Sequence, residues 1–241
     1  MSIILAHRGA SGYAPENTLE AFRLAMEMGA DGFELDVHLS ADGELMVIHD
    51  ETVNRTTDGT GFVKDLTLAQ LKQLDACNGM AAYRGAKIPT LGEVFDLIKD
   101  TSHIVNVEIK TDGIFYPHIE EKCLALEQEK GMEGRILYSS FNHYTIRNMR
   151  ALAPQSRLGM LYGEVMAEPF DYCKSIGADF LHPAQNSFQV PGFPEKAARA
   201  GLGINLWTVN DEHTMIRCLE HGTGIITNYP DIAVKLRDSR K

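Results

Sequence analysis

The chain is predicted to fold as an α/β protein whose eight strand–helix units close into a (β/α)8 barrel. Short apolar runs alternate with stretches in which apolar residues recur at helical spacing, which favours parallel strand pairing. The length of 241 residues fits one such barrel. Polar and titratable residues also gather where the apolar runs end, and active sites of these barrels lie at the carboxyl ends of the strands.

Each predicted strand is a short apolar run with a helical stretch behind it. The strands are predicted at residues 3–6, 34–39, 104–109, 135–139, 157–161, 178–181, 203–209 and 224–227. The helices are predicted at residues 17–28, 91–99, 116–129, 143–152, 169–176, 194–200, 212–220 and 230–237. An extra strand at residues 45–49 is expected to pair with the second strand as a hairpin, because Asp42-Gly43 is typical of a tight turn.

Residues 51–89 interrupt this rhythm with many Thr, Asp and Gly residues. We predict that they form a small inserted subdomain, within a single 1–241 domain, folded over one end of the barrel. The larger apolar side chains of the insertion recur at amphipathic spacing, so we expect them to pack onto the barrel. They are Phe62, Leu66, Leu68, Leu71, Leu74 and Met80.

Composition and charge narrow the function classes. The net charge of −10 disfavours a nucleic-acid partner, and an anionic substrate would need local Lys, Arg or metal. The four cysteines are far apart and form no CxxC, which indicates free thiols in a reducing cytoplasm. The N-terminal stretch has neither a basic region nor a long apolar run, so we expect no signal peptide, and no segment has the length of a membrane span. The sequence does not indicate an oligomeric state.

Three acidic residues predict a cation site. Glu34 and Asp36 are two apart on a predicted strand, so their side chains leave the same face. Glu108 and Lys110 repeat this spacing on the neighbouring strand. Three carboxylates suit Mg²⁺ or Ca²⁺ and are poor ligands for zinc. The alternatives are a solvated strand face for the first pair and a structural ion pair for Glu108 and Lys110.

Basic and imidazole groups accompany the acidic residues. Arg8 offers a planar fork that matches phosphate oxygens, and Lys110 adds a second cation. His7 and His49 supply two imidazoles that can donate and remove protons near neutral pH. A cation with Arg and Lys in an acidic protein therefore predicts an anion clamp. No GxSxG, P-loop or GxGxxG motif is present.

Other polar residues near the strand ends have two interpretations. His38 shares the face of the carboxylates and is either a packing residue or a catalytic one. His182 follows the sixth strand and is equally open. Asn17 is expected to cap the first helix, and Glu16 is expected to lean on Arg8 and orient it.

Six fragments, in this order on these strands, resemble the motif set of the glycerophosphodiester phosphodiesterases. They are His7-Arg8-Gly9, Pro15-Glu16-Asn17-Thr18, Glu34-Leu35-Asp36-Val37, His49-Asp50, Val107-Glu108-Ile109-Lys110 and Trp207-Thr208-Val209-Asn210. The resemblance covers essentially the whole chain, including the insertion. It implies a TIM barrel and hydrolysis of a small-molecule glycerophosphodiester to sn-glycerol 3-phosphate and an alcohol.

The resemblance also implies residue roles. One Mg²⁺ or Ca²⁺ ion would be bound by Glu34, Asp36 and Glu108. His7 and His49 would form the acid/base pair. Arg8 and Lys110 would contact the phosphate. Trp207 and Phe141 are either core residues or an apolar wall for the glycerol backbone, and we predict that they bind substrate. The family usually has Thr-Asp-x-Pro where this chain has Thr227-Asn228-Tyr229-Pro230. Because this segment lies away from the other motifs, the departure is expected to affect the substrate pocket and not the reaction.

Three other functions compete with this interpretation. A lysophospholipase D, or another phosphodiesterase on the same scaffold, would need an exposed apolar lip. A metal-dependent lyase or aldolase would use Lys110 as a base or Schiff-base amine, and the paired histidines argue against it. A catalytically inactive barrel would not need both histidines and all three acids. The head group, the choice of Mg²⁺ or Ca²⁺, the first acid, and the nucleophile (water or the glycerol 2-hydroxyl) stay open.

Overall fold

Eight parallel strands close into a barrel in the computed structural model, which describes residues 2–240. Within the described residues the strands are β1 (Ile4–His7), β2 (Gly32–Leu39), β3 (Leu45–Val47), β4 (Ile104–Ile109), β5 (Ile136–Ser140), β6 (Arg157–Tyr162), β7 (Phe180–Pro183), β8 (Gly203–Leu206) and β9 (Gly224–Thr227), and all but β3 belong to the parallel barrel. β1 pairs in parallel with β2, β2 with β4, and each strand from β4 to β8 with the next, and β9 pairs again with β1. The predicted (β/α)8 fold is therefore confirmed.

Helices surround the barrel and connect successive strands. They are α1 (Leu19–Glu27), α2 (Leu68–Leu71), α3 (Leu91–Ile98), α4 (Ile119–Glu129), α5 (His143–Leu152), α6 (Phe170–Ser175), α7 (Phe193–Arg199), α8 (Glu212–His221) and α9 (Pro230–Asp238). The expectation that Asn17 caps the first helix is wrong. The hydroxyl of Thr18 accepts from the Ala21 backbone N–H instead, so the helix begins one residue later. Among residues 2–240, no helix is long and apolar enough to cross a membrane.

Alternate side chains of β2 face the hydrophobic core and the barrel interior. Phe33, Leu35 and Val37 belong to the hydrophobic core, and the Phe33 ring stacks on Phe22 of α1 at 4.4 Å between centroids. Side chains of a strand alternate between its two faces, so Glu34 and Asp36 point the other way, into the barrel. Both are buried, so a solvated strand face is excluded.

The hairpin predicted around Asp42-Gly43 is present. β3 pairs antiparallel with β2, and Gly43 has a φ of +85°, a conformation that favours glycine. The ladder ends at Val47, so His49 lies beyond the strand, on the segment that leads into residues 51–89.

Residues 51–89 pack on this hairpin through a small second core to which Met46 and Ile48 also belong. Its buried members are Met46, Ile48, Val53, Val63, Leu71, Ala76 and Ile88, and Leu66, Leu68 and Leu74 pack against them. Phe62 and Met80 depart from the expected packing, since neither belongs to this core and 46% of the Phe62 surface is exposed. This shared core attaches the segment to the strand that precedes His49.

The barrel interior contains a buried polar layer. The Asn205 amide donates to His182 Nε2 at 2.9 Å, and the Asn106 amide donates to Ser139 Oγ at 3.0 Å. Burial lowers the pKa of His182 to about 3. His182 does not line the candidate active site described below, so its position indicates a structural role.

His182 should make the stability of the protein depend on pH. Because its folded pKa lies below the unfolded value of about 6.5, the unfolded state binds the proton first, and stability is lost as pH falls from about 6.5 towards 3. Between pH 7 and pH 5 the wild type should lose about 2 kcal/mol more of unfolding free energy than His182→Gln. Urea unfolding at both pH values measures this difference. Equal losses in the two proteins would contradict it.

Candidate active site

Three buried carboxylates meet at the carboxyl ends of β2 and β4. Glu34 and Asp36 come from β2, and Glu108 of β4 lies opposite Asp36 in the strand register. One oxygen from each carboxylate lies within 4.8 Å of the others. The structure thus brings together the three acids that the sequence proposed as metal ligands.

The charges of this cluster are not balanced by the protein alone. Burial, and then the neighbouring Asp36, raise the pKa of Glu34 well above its usual range. The same two causes raise the pKa of Glu108 to about 7. Burial would also raise the pKa of Asp36, but the Arg8 guanidinium and the other neighbouring cations and hydrogen-bond donors together outweigh burial and lower that pKa to about 2.

A hard divalent cation fits this donor set. Oδ1 of Asp36 is buried and has no hydrogen-bond partner within the described range 2–240. Carboxylate oxygens are the ligands that Mg²⁺ and Ca²⁺ prefer, and a cation would remove the repulsion among the three acids. No nitrogen or sulfur ligand of the kind zinc prefers belongs to the cluster found within residues 2–240.

Asn17 and Arg8 hold the cluster from the side of β1. The Asn17 amide donates to Asp36 Oδ2 at 2.8 Å, which is why this side chain is not free to cap the helix. The Arg8 backbone N–H donates to Glu34 Oε2 at 3.1 Å, and its Nε lies 3.4 Å from Asp36 Oδ2. Glu16 accepts from Arg8 Nη1 at 2.8 Å, as the sequence predicted.

Lys110 forms the structural ion pair that the sequence left open. Its Nζ donates to Glu108 Oε1 at 2.9 Å and lies 5.8 Å from the Phe141 ring centroid. Burial would lower the pKa of Lys110, but the carboxylates of Glu108, Asp36 and Asp112 together outweigh burial and raise that pKa. Lys110 is therefore a charged ammonium, which disfavours a Schiff-base role. It does not line the central cavity, so its phosphate contact stays a prediction.

Two imidazoles face the same cavity, each oriented by an oxygen at Nδ1. His49 Nδ1 donates to Asp50 Oδ1 at 2.7 Å. His7 Nδ1 donates to Asn228 Oδ1 at 2.7 Å, and its Nε2 lies 4.0 Å from Glu34 Oε2. With the proton on Nδ1, each Nε2 keeps its lone pair for proton transfer.

The Asn228 contact corrects an expectation. The Thr227-Asn228 departure was expected to affect only the substrate pocket, away from the other motifs. Barrel closure places β9 beside β1, however, so Asn228 holds His7 directly. Burial, and then Arg8, lower the pKa of His7 to about 4, and the Asn228 hydrogen bond offsets only part of this.

His38 is a packing residue, which decides the question left open above. Its Nε2 contacts the His49 carbonyl oxygen at 3.0 Å, and its Nδ1 contacts the Tyr116 hydroxyl at 3.0 Å. Both ring nitrogens are therefore occupied, and the side chain fixes the backbone at His49.

The cavity among these groups has a volume of about 80 Å³. It is lined by His7, Arg8, Glu34, His49, Asn106, Glu108, Phe141, Leu161, Trp207, Thr208 and Ile226. The rings of Phe141 and Trp207 meet edge to face at 5.5 Å and form its apolar wall. The Trp207 indole N–H donates to the His182 carbonyl at 2.8 Å, which fixes the ring. Trp207 is half-buried and lies outside β8, so the predicted strand 203–209 is too long.

Arg55 is a site residue that sequence reasoning missed. It lies in the 51–89 segment and binds both Glu16 and Asp50. A lone arginine five residues after a His-Asp pair carries no recognisable signal, because the contact depends on how the inserted segment folds. Asn228 did carry a signal, since it was noticed as a departure from the family pattern.

Comparison with known proteins identifies the family. Residues 7–232 match the model of the glycerophosphoryl diester phosphodiesterase family. The chain belongs to this family. The predicted enzyme class, a glycerophosphodiester phosphodiesterase, is thereby confirmed.

Relatives of the same family match over their whole length. A glycerophosphodiester phosphodiesterase of Caldanaerobacter subterraneus subsp. tengcongensis is 45% identical, over 98% of this chain and 97% of the relative. One of Bacillus altitudinis is 41% identical over 100% of both chains. The structure of an Oleispira antarctica phosphodiesterase in complex with the product sn-glycerol-3-phosphate superposes with a TM-score of 0.86 at 32% identity, covering 99% of this chain and 97% of that one.

Replacing Asn228 by Asp should raise the pKa of His7. A carboxylate at Nδ1 stabilises the imidazolium more strongly than the neutral amide does, so we expect a rise of about 1 to 3 pH units from about 4. Titration of the imidazole Cε1–H by NMR, in EDTA, measures it without turnover. Gln155→Glu, which adds the same charge at the opposite end of the barrel, is the control. An unchanged His7 titration in Asn228→Asp would show that the contact does not control this imidazole.

Proposed function

We propose that this protein hydrolyses glycerophosphodiesters to sn-glycerol 3-phosphate and an alcohol, with a divalent cation and two histidines. The observation that carries the proposal is the convergence of two oriented imidazoles and one carboxylate cluster on a single cavity. Family membership supports the substrate class, as does the related phosphodiesterase with bound sn-glycerol-3-phosphate.

Glu34, Asp36 and Glu108 would hold the cation, Mg²⁺ or Ca²⁺. When bound, it supplies positive charge that neutralises the phosphodiester oxygens and the charge that develops on them. Arg8 adds a guanidinium that lines the cavity, held by Glu16 so that its fork can meet the phosphate. Phe141 and Trp207 would pack against the glycerol backbone and limit the entry of water.

The surroundings of the two histidines differ in charge and suggest their order of action. Burial and the neighbouring cation Arg8 favour the neutral imidazole of His7, and the neutral amide of Asn228 offsets only part of this. His49 faces the carboxylate of Asp50. We therefore assign removal of the proton from the attacking oxygen to His7 and donation to the departing alcohol to His49. The attacking oxygen belongs either to water or to the glycerol 2-hydroxyl, whose attack would give a cyclic phosphate that water then opens with the roles reversed.

A second candidate substrate is a lysophospholipid. In the segments that follow β4 and β5, Phe115 and Tyr144 are 74% and 70% exposed. They line a groove of about 490 Å³ at the side of the barrel, which contains none of the predicted catalytic residues. These rings are apolar surface of the kind an acyl chain would contact.

The site of action is proposed to be the cytoplasm. All four cysteines are free, and Cys123, Cys173 and Cys218 are buried. Free buried thiols are typical of proteins in a reducing compartment.

A coupled assay for released sn-glycerol 3-phosphate tests the proposed function. The panel contains choline, ethanolamine, glycerol and inositol diesters, together with lysophosphatidylcholine assayed for released choline. We expect release from at least one diester, loss of release in EDTA, and recovery with Mg²⁺ or Ca²⁺. Choline release from the lysolipid alone would favour the second candidate. No release from any diester, or release indifferent to EDTA, would refute the proposal.

Each histidine should be essential for turnover. His7→Ala and His49→Ala should each lower kcat by about 10² to 10⁴-fold, because one general acid or base is lost in each. His213→Ala, which changes an exposed histidine of α8, is the matched control and should retain wild-type rates. Near-normal turnover by either site variant would rule out the acid/base assignment.

A further inference from the structure

Arg55 connects two carboxylates that hold different parts of the site. Its Nε and Nη2 donate to Asp50 at 2.8 and 2.9 Å. Its Nη1 and Nη2 donate to Glu16 at 2.7 and 2.9 Å. Each carboxylate thus accepts hydrogen bonds through both of its oxygens from one planar guanidinium. An ammonium group cannot reproduce this geometry.

The two carboxylates pass this orientation on to two different groups. Asp50 accepts from His49 Nδ1 at 2.7 Å, and Glu16 accepts from Arg8 Nη1 at 2.8 Å. A continuous chain of hydrogen bonds therefore runs from His49 through Asp50, Arg55 and Glu16 to Arg8. Without Arg55, two acids on neighbouring segments would face each other with no positive charge between them.

We propose that Arg55 is a positioning residue that sets the orientation of His49 and of Arg8 together, and thereby couples the inserted segment 51–89 to the active site. The chemical roles of His49 and Arg8 in this inference rest on the proposed function. Isolated exposed ion pairs contribute little to stability. The Arg55 contacts differ from such pairs because they are bidentate and join several charges in one network.

We call the Arg55–Asp50–His49 contacts the Asp50 branch and the Arg55–Glu16–Arg8 contacts the Glu16 branch. Loss of each branch should change a different kinetic constant. Loss of the Asp50 branch leaves His49 free to turn, which lowers kcat. Loss of the Glu16 branch loosens Arg8 on the phosphate, which raises KM. We expect Arg55→Ala to do both, each by about 10 to 100-fold, the usual effect of removing a partner that orients a functional group. Arg55→Lys keeps the charge but not the fork and should remain well below the wild type in kcat/KM.

Single and double variants assign each effect to its branch. In an Asp50→Asn background, Arg55→Ala should raise KM with little further loss of kcat. In a Glu16→Gln background, it should lower kcat with little further rise in KM. Such non-additivity is expected of residues in one network. Additive losses in both backgrounds would show that Arg55 acts independently of these carboxylates and would overturn the proposal, as would full activity in Arg55→Lys.

Arg150→Lys is the matched control. Arg150 also binds a carboxylate, that of Asp179, but it does so ahead of β7, at the amino end of the barrel. This variant should lower the unfolding free energy while leaving kcat and KM unchanged. If Arg55→Ala shows only the same loss of stability, Arg55 is merely structural and the inference fails.

A readout without turnover separates this inference from the proposed function. The His49 Nδ1–H, identified by its loss in His49→Ala, should give a slowly exchanging NMR signal in the wild type that exchanges faster in Arg55→Ala. The Arg8 Nε–H should respond in the same direction. An inactive wild type with these spectral changes would refute the proposed function and support the positioning role. Unchanged signals in Arg55→Ala would refute the positioning role whatever the activity.

Discussion

The structure depends on the confinement of three negative groups in one buried place. Glu34, Asp36 and Glu108 are buried together inside the barrel, and burial raises the free-energy cost of each negative charge. Neighbouring hydrogen-bond donors and cations stabilise these buried carboxylates. Arg8 and Asn17 contact Asp36, Lys110 contacts Glu108, and a divalent cation would add further positive charge to the cluster.

The groups proposed to act on the substrate are each held by a hydrogen-bond partner. His7 is held by Asn228, His49 by Asp50, and Arg8 by Glu16. Each contact leaves one polar end of the side chain facing the cavity. Orientation of this kind lowers the reorganisation that a reaction needs, because the groups are in place before the substrate arrives.

The inserted segment 51–89 takes part in this arrangement and is more than a cover. The apolar core that it shares with Met46 and Ile48 anchors it to the β3 hairpin, so the position of Arg55 is defined with respect to His49 and Asp50. A loop without such a core would leave the arginine mobile, and its four hydrogen bonds would cost more side-chain entropy. The packing of Leu71 and its neighbours therefore supports the contacts that Arg55 makes with Glu16 and Asp50.

By itself, the sequence determined the barrel, the acidic cluster and the two histidines. These follow from local patterns: strand–helix alternation, the spacing of Glu34 and Asp36, and polar residues at strand ends. The contacts of Asn17, Asn228, His38 and Arg55 were decided only by the tertiary structure. The His7–Asn228 contact spans 221 positions and exists because β9 closes onto β1. Local patterns determine which face a side chain takes, whereas barrel closure and the fold of the insertion determine which distant side chain it meets.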